Sequence, residues 1–559
     1  MTTSAQASRQ SGGEILADSL LAHGTDRVTC VPGESFLAFL DAAWDRRERL
    51  SVIACRHEGG AAYMAEAIGK LTGRPGVCFV TRGPGACQAA VGVHTAFQDS
   101  TPMLLLVGAV PRRFAGREAF QEVDLAALFT PLAKRVEVVN SAARIPEAVA
   151  RAFAAAQGGR PGPAVLILPE DVLAERDAAP QCRPFAIPQP HPGPDSMARL
   201  ATILAGAERP LAIVVGGGWT TAAAEHFTAF AARWSLPVAA AFRRQDMIDN
   251  TLPAYVGELG FSMSPRLGER LRQADVLLVA GARLGEIDTA GWTLVAAPEP
   301  HQTLLHVFPE AEELGRIARP EVAVAASMPA FAHAAAALPP PDLPRWRDWA
   351  RTLRDEYEAN LEPGPCPGAL DLGRVMTFLD GELPDDAILC LGAGNYTGWP
   401  QRFRRYRRFG TQLAPANGSM GYGLPAALAA QSLHPGRLVV AFAGDGCFMM
   451  TAAELATARL YGLAPVVIVV DNSMYGTIRM HQERRHPGRP MASDLANPDF
   501  AALAAAHGFF AATVTRTEDF PAAFAHARAA GRLALLHLRL DPEAITTRTT
   551  LSALRPGTV

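Results

Sequence analysis

No run of about eighteen apolar residues occurs in this chain, so a membrane-spanning helix is not expected. Met1 to Glu14 is polar and lacks an apolar core, so no secretory signal is expected either. An excess of one charge is also missing. The 52 Lys and Arg stand against 55 Asp and Glu, a net charge of −3, and no basic field draws nucleic acid or anionic lipid. The eight cysteines (30, 55, 78, 87, 182, 366, 390 and 447) include no CxxC pair, which reads as reduced thiols in a cytoplasmic protein. Gly and Pro number 49 and 44, too few for a low-complexity chain, and 49% hydrophobic residues exclude disorder. At about 150 residues per domain, 559 residues are too many for one core.

Two proline-rich stretches, Ile187 to Pro194 and Leu338 to Pro344, break the sequence into three blocks. The domains expected are 1–185, 195–338 and 345–545. Each block alternates short apolar runs with Ala/Leu-rich helical patterns, so the fold class is α/β with three doubly wound parallel-sheet domains. The first block reads as a strand at Val52–Cys55 and a helix over Gly59–Leu71. A strand at Val77–Thr81, a Gly83-Pro-Gly85 turn, a helix to Phe97 and a strand at Met103–Val107 follow. In the last block, strands at Leu438–Ala443 and Pro465–Val470 flank a helix that Thr451 and Glu454 open as a capping box. In such sheets ligands gather outside the carboxyl ends of the strands.

Asp445 follows one of these strands, and Asn472 follows the next twenty-seven positions later. A βαβ crossover brings two such strand ends together. A carboxylate, an amide oxygen and backbone carbonyls then face one point, a donor set suited to Mg²⁺ and phosphate oxygens. Gly444 and Gly446 allow close backbone approach. An ordinary βα turn with a capping Asp is the competing reading of Gly-Asp-Gly alone.

The longer string Gly444-Asp-Gly-Cys-Phe-Met-Met-Thr-Ala-Ala-Glu-Leu455, closed by Val-Val-Asp-Asn-Ser-Met-Tyr-Gly476, resembles the thiamine-diphosphate signature of the acetolactate synthase (acetohydroxyacid synthase) superfamily. Arg56-His-Glu-Gly-Gly60, Gly83-Pro-Gly-Ala86, Asp99-Ser-Thr-Pro102, Ala119-Phe-Gln-Glu122 and Gly418-Ser-Met-Gly-Tyr-Gly423 extend the resemblance over nearly the whole chain. It implies a pyrimidine-binding, a central Rossmann-like and a diphosphate-binding domain. It implies Mg²⁺ held by Asp445, the Asn472 side chain and the Met474 carbonyl. Glu58 would bond the cofactor's pyrimidine ring, Met420 would wedge the cofactor into its bent form, and Gln121 and Lys134 would line the substrate entrance. Gly83, Asn395, Gly418, Ser419, Gly446, Cys447, Tyr475, Gly476 and Thr477 complete the implied cofactor contacts. The implied reaction is decarboxylation of a 2-oxo acid, pyruvate first, with transfer of the remaining unit to a second carbonyl compound. The implied assembly is a homodimer or homotetramer with active sites between subunits.

Three departures qualify the resemblance. Gly392 to Trp399 replaces the usual Gln-His-Gln run, and His481 stands where the family carries a Trp. His481 reads either as a catalytic group or as an exposed residue. Gly285-Glu-Ile287 replaces the run that accompanies FAD, which speaks against FAD. His481 and the altered Gly392 to Trp399 stretch keep simple decarboxylation, of an aryl substrate for example, as an alternative to carboligation. A non-catalytic thiamine-diphosphate-binding paralogue is a third reading. The run Arg402-Phe-Arg-Arg-Tyr-Arg-Arg408 is expected on a solvated or subunit-facing surface.

Overall fold

A computed structural model describes residues 9–178 and 183–555. Cys182 lies outside them. The chain forms two compact units, one from Met1–Pro188 with Ala453–Tyr461, the other from Gln189–Ala452 with Gly462–Val559.

The first unit holds a six-stranded, all-parallel sheet of Arg27–Cys30, Ser51–Ala54, Gly76–Val80, Met103–Ala109, Arg135–Val138 and Pro163–Pro169. Numbered along the chain, its strands lie in the order 2-1-3-4-6-5. The helix Glu58–Thr72 packs on the helix Gly83–Asp99, where a Cβ on Gly92 would lie 2.4 Å from that of Ala62. Only glycine permits that approach. Gly83-Pro84-Gly85, expected as a separate turn, is instead the first turn of the second helix. Proline belongs there because its missing N–H is not needed in a first turn.

The second unit carries two parallel sheets. The central one comprises Pro210–Val214, Val238–Ala240, Tyr255–Glu258, Val276–Ala280, Thr303–Phe308 and Val322–Ala325, in the order 3-2-1-4-5-6 of dinucleotide-binding folds. The other comprises Ile388–Leu391, Gln412–Leu413, Val439–Gly444, Val466–Asp471, Phe510–Val514 and Ala534–Arg539, and repeats the 2-1-3-4-6-5 order of the first unit. Its strand Val466-Val-Ile-Val-Val470 is apolar without alternation because helices cover both faces of a parallel sheet. The three sheets establish three α/β layers of the expected class.

Buried polar groups fasten these two sheets together. The Gln245 N–H donates to Gln412 Oε1 at 2.7 Å, and Gln412 Nε2 donates back to Gln245 Oε1 at 3.1 Å. Asp246 Oδ2 accepts the backbone N–H groups of Gly410, Thr411 and Gln412 at 3.0–3.2 Å. Reciprocal pairing of this kind removes the cost of burying amides. The arginine run serves the same unit and is not simply a solvated surface. Arg404 is buried against Asp380, which also accepts the Arg405 N–H at 2.7 Å and its Nε at 2.8 Å. A buried carboxylate needs cations and N–H donors around it, and the run supplies both.

The capping box expected at Thr451 and Glu454 does not form. Thr451 Oγ1 donates to the Gly421 carbonyl at 2.8 Å, and a 3₁₀ turn over Ala452–Glu454 precedes the helix Leu455–Tyr461. A reciprocal box stands instead at Ser11 and Glu14, opening the helix Gly12–Ala22. No helix among the described residues is long and apolar enough to cross a membrane.

Candidate active site

In the first unit, Glu58 is the first residue of its helix, and the N-cap residue His57 accepts the Gly59 N–H on Nδ1 at 3.0 Å. A Cβ on Gly85 would sit 3.3 Å from Glu58 Oε1, so that glycine keeps the carboxyl group's surroundings open. The Gly83 N–H donates to the Gln121 carbonyl at 3.0 Å, with Gln121 in the left-handed region at φ +63°. Glu58, Gly83, Gly85 and Gln121 thus belong to one neighbourhood. Glu454 braces the turn before Glu58. Its buried carboxylate accepts the N–H groups of Arg56 and His57 at 3.1–3.2 Å. Lys134, expected at a substrate entrance, has its ammonium bound to the Gly158 and Arg160 carbonyls at 2.6 Å.

In the second unit, a cavity of about 610 Å³ opens beyond the carboxyl ends of the third sheet. It lies where strand order reverses, between Ile388–Leu391 and Val439–Gly444, the place at which such sheets bind ligands. Asp445 and Asn472 follow neighbouring strands paired through Gly444 and Val470. Both line the cavity, with Asn395, Gly418, Met420, Gly446, Cys447, Met474, Tyr475, Gly476, Thr477 and His481 around them. Ser419 does not reach the wall; its N–H is held by Asn417 Oδ1 at 3.1 Å. Asn395 ties a loop to the start of the helix Gly476–Arg485, donating to the Ile545 carbonyl at 3.1 Å and accepting from Thr477 Oγ1 at 2.9 Å. Cys447 Sγ accepts the Gly421 N–H at 3.1 Å and fills the space a Cβ on Gly392 would need.

The electrostatics single out the two carboxylates. Burial pushes Asp445 up to about 6, against the pull of hydrogen bonds from the Gly446 N–H and Asn497. Burial also opposes the charge on Asp471, but hydrogen bonds from His537, the Ser473 N–H and Asn497 outweigh it and hold that group well below its usual range. His481 is lowered by burial and by the cations of Arg484 and Arg485.

Comparison with known proteins agrees with this architecture. Residues 10–128, 197–335 and 392–538 match, in turn, the N-terminal TPP binding, central and C-terminal TPP binding domains of thiamine pyrophosphate enzymes. The acetolactate synthase large subunit of Parasynechococcus marenigrum is 32% identical over 523 residues, covering 91% of this chain and 84% of that protein. This chain belongs to the acetolactate synthase-like thiamine pyrophosphate enzymes. The isozyme 2 large subunit of Escherichia coli is 29% identical, covering 95% of each chain. The probable acetolactate synthase large subunit of Methanocaldococcus jannaschii is 28% identical over 95% of this chain and 92% of its own length. The chain is therefore an enzyme dependent on thiamine diphosphate.

Several residues of this acetolactate synthase-like enzyme escape sequence reasoning. Asn497 sits in a short polar segment, and nothing in its spacing points to Asp445. His537 is the one titratable side chain inside the apolar strand run Ala534–Leu538, a signal that was available. Arg243 and Phe261, from loops after central-sheet strands, and Thr546 to Thr549, near the end of the chain, also line the cavity. Such walls form only when distant segments fold together.

Proposed function

We propose that this enzyme decarboxylates a 2-oxo acid, pyruvate first, with thiamine diphosphate and Mg²⁺, and transfers the retained unit to a second carbonyl compound. The observation that carries the reading is the placement of Asp445, Asn472 and Met474 around one cavity at a strand-order reversal. Their donors are oxygen atoms, the chemistry Mg²⁺ requires, and a carboxylate that burial makes reluctant to ionise gains from a nearby cation. Asp445, the Asn472 side chain and the Met474 carbonyl would hold the metal. When bound, thiamine diphosphate supplies the electron sink that makes loss of CO₂ feasible.

The chain's own groups orient and exclude. Glu58 offers a carboxyl group at a helix start, able to hold a proton against a ring nitrogen of the cofactor. Met420 packs against the core while facing the cavity, a position from which it would set the cofactor's bend. His481 bears on the outcome. It lines the cavity from an exposed position on the helix Gly476–Arg485, where a second carbonyl compound would meet it. The assembly that goes with this reading is a homodimer or homotetramer whose active sites are completed between two copies. The free thiols suit a cytoplasmic enzyme.

Product analysis after incubation with pyruvate, thiamine diphosphate and Mg²⁺ tests the reading. Acetolactate with matching CO₂ is expected. Aldehyde alone would assign a decarboxylase, and no CO₂ from any 2-oxo acid would overturn the proposal.

A further inference from the structure

The two acidic groups at neighbouring strand ends, Asp445 and Asp471, form no ion pair with Lys or Arg among the described residues. One amide joins them. Asn497 Nδ2 donates one hydrogen to Asp445 Oδ2 at 2.8 Å and the other to Asp471 Oδ1 at 2.9 Å. The acceptors are carboxylate oxygens, so the amide nitrogen must face them.

The remaining donors are divided unequally. Asp471 Oδ1 also receives the Ser473 N–H at 2.9 Å and its hydroxyl at 3.1 Å, and Oδ2 receives the buried His537 Nε2–H at 2.8 Å. Counting Asn497, Asp471 accepts four hydrogen bonds and has little capacity left for a ligand. Asp445 accepts only one on each oxygen, from the Gly446 N–H at 2.8 Å and from Asn497. Lone pairs on Asp445 therefore stay available, while its plane is fixed at both oxygens. His537 is held in turn by an edge-on contact with Phe500, three residues beyond Asn497, at 5.0 Å between ring centres.

We propose that Asn497 is a positioning residue for the metal and diphosphate site. It turns the Asp445 carboxylate toward the cavity by tethering it to the Asp471–His537 pair. The proposal rests on the reading of Asp445 as a metal ligand. An amide is suited to this task because it screens two carboxylates from each other without adding a charge that would repel a cation. Second-layer hydrogen bonds of this sort typically change metal affinity about 10–100-fold when removed.

The test is calorimetric titration of the full-length protein with thiamine diphosphate at graded Mg²⁺, alongside the melting temperature without either. Asn497→Ala should raise the Mg²⁺ concentration for half-maximal cofactor binding about 10–100-fold. Binding should recover at high Mg²⁺, with little change in the melting temperature of the cofactor-free protein. Asn497→Ser keeps one donor and should fall between. Half-saturation within twofold of wild type for both variants would overturn the proposal. So would loss of folding in both, which would make the amide a structural brace. If wild type itself binds no thiamine diphosphate with Mg²⁺, the reading of the site fails instead.

Discussion

Glu454 Oε1 accepts the backbone N–H of His57 at 3.1 Å across 397 positions of sequence. The same carboxylate takes the Arg56 N–H and the Thr457 hydroxyl, so one buried acid fixes the turn that presents Glu58. Glu454→Ala would leave those N–H groups without acceptors, at about 1–3 kcal/mol. Thermal unfolding should show that loss, and Glu454→Gln, which keeps an oxygen acceptor, should lose less. Equal stability for both variants would show that the carboxylate does not hold the turn.

Gly60 gives a second handle on the same contact. A Cβ there would lie 2.4 Å from Glu454 Oε1 and 2.9 Å from its Cδ. An Ala inside a helix normally gains up to about 1 kcal/mol over Gly, and less in a first turn, where Gly60 sits, but overpacking costs about 1–3 kcal/mol. Gly60→Ala should therefore lower the melting temperature, and an increase would contradict the close approach.

The second unit carries a pH-sensitive acid. Burial pushes Glu258 up to about 8, although the Arg548 and Arg402 cations pull the other way. The folded state thus binds a proton more tightly than the unfolded chain. The resulting stability is complete below about 4.5 and is lost as pH rises toward 8, at up to about 1.4 kcal/mol per pH unit. Chemical denaturation between pH 5 and 8 should show this decline, and Glu258→Gln should flatten it. An unchanged slope in the variant would assign the effect to other groups.

Much of this was legible in the sequence, for reasons visible in particular residues. Unbroken apolar runs such as Val466–Val470 mark strands covered on both faces, and the Gly-rich loops after them mark where a ligand meets backbone. Asp445 and Asn472 were readable because both follow strands that a short crossover makes neighbours. The Thr451–Glu454 spacing misled because a distant turn competes for the glutamate: Arg56 and His57 offer N–H groups that outbid the local cap. Arg402 to Arg408 misled because an arginine run looks solvated until Asp380 is found among it. Asn497 and His537 were unreadable as a pair, since their meeting point is set by sheet order and not by spacing.

If active sites are completed between copies, two separately inactive variants should rescue each other. Glu58→Ala damages only the first unit's contribution, and Asp445→Ala only the second's. Denaturing and refolding a mixture of the two should regenerate some dimers with one intact site. Activity well above that of either variant alone is expected, and none would argue that each chain completes its own site.

The most direct measurement is hydrogen–deuterium exchange at C2 of thiamine diphosphate bound to the protein with Mg²⁺. Wild type should accelerate exchange well beyond that of the free cofactor. Glu58→Gln should slow it about 10²–10⁴-fold, the usual reach of one acid–base group, while remaining folded and binding the cofactor. Exchange at the same rate in wild type and Glu58→Gln, or no acceleration by wild type, would contradict the account.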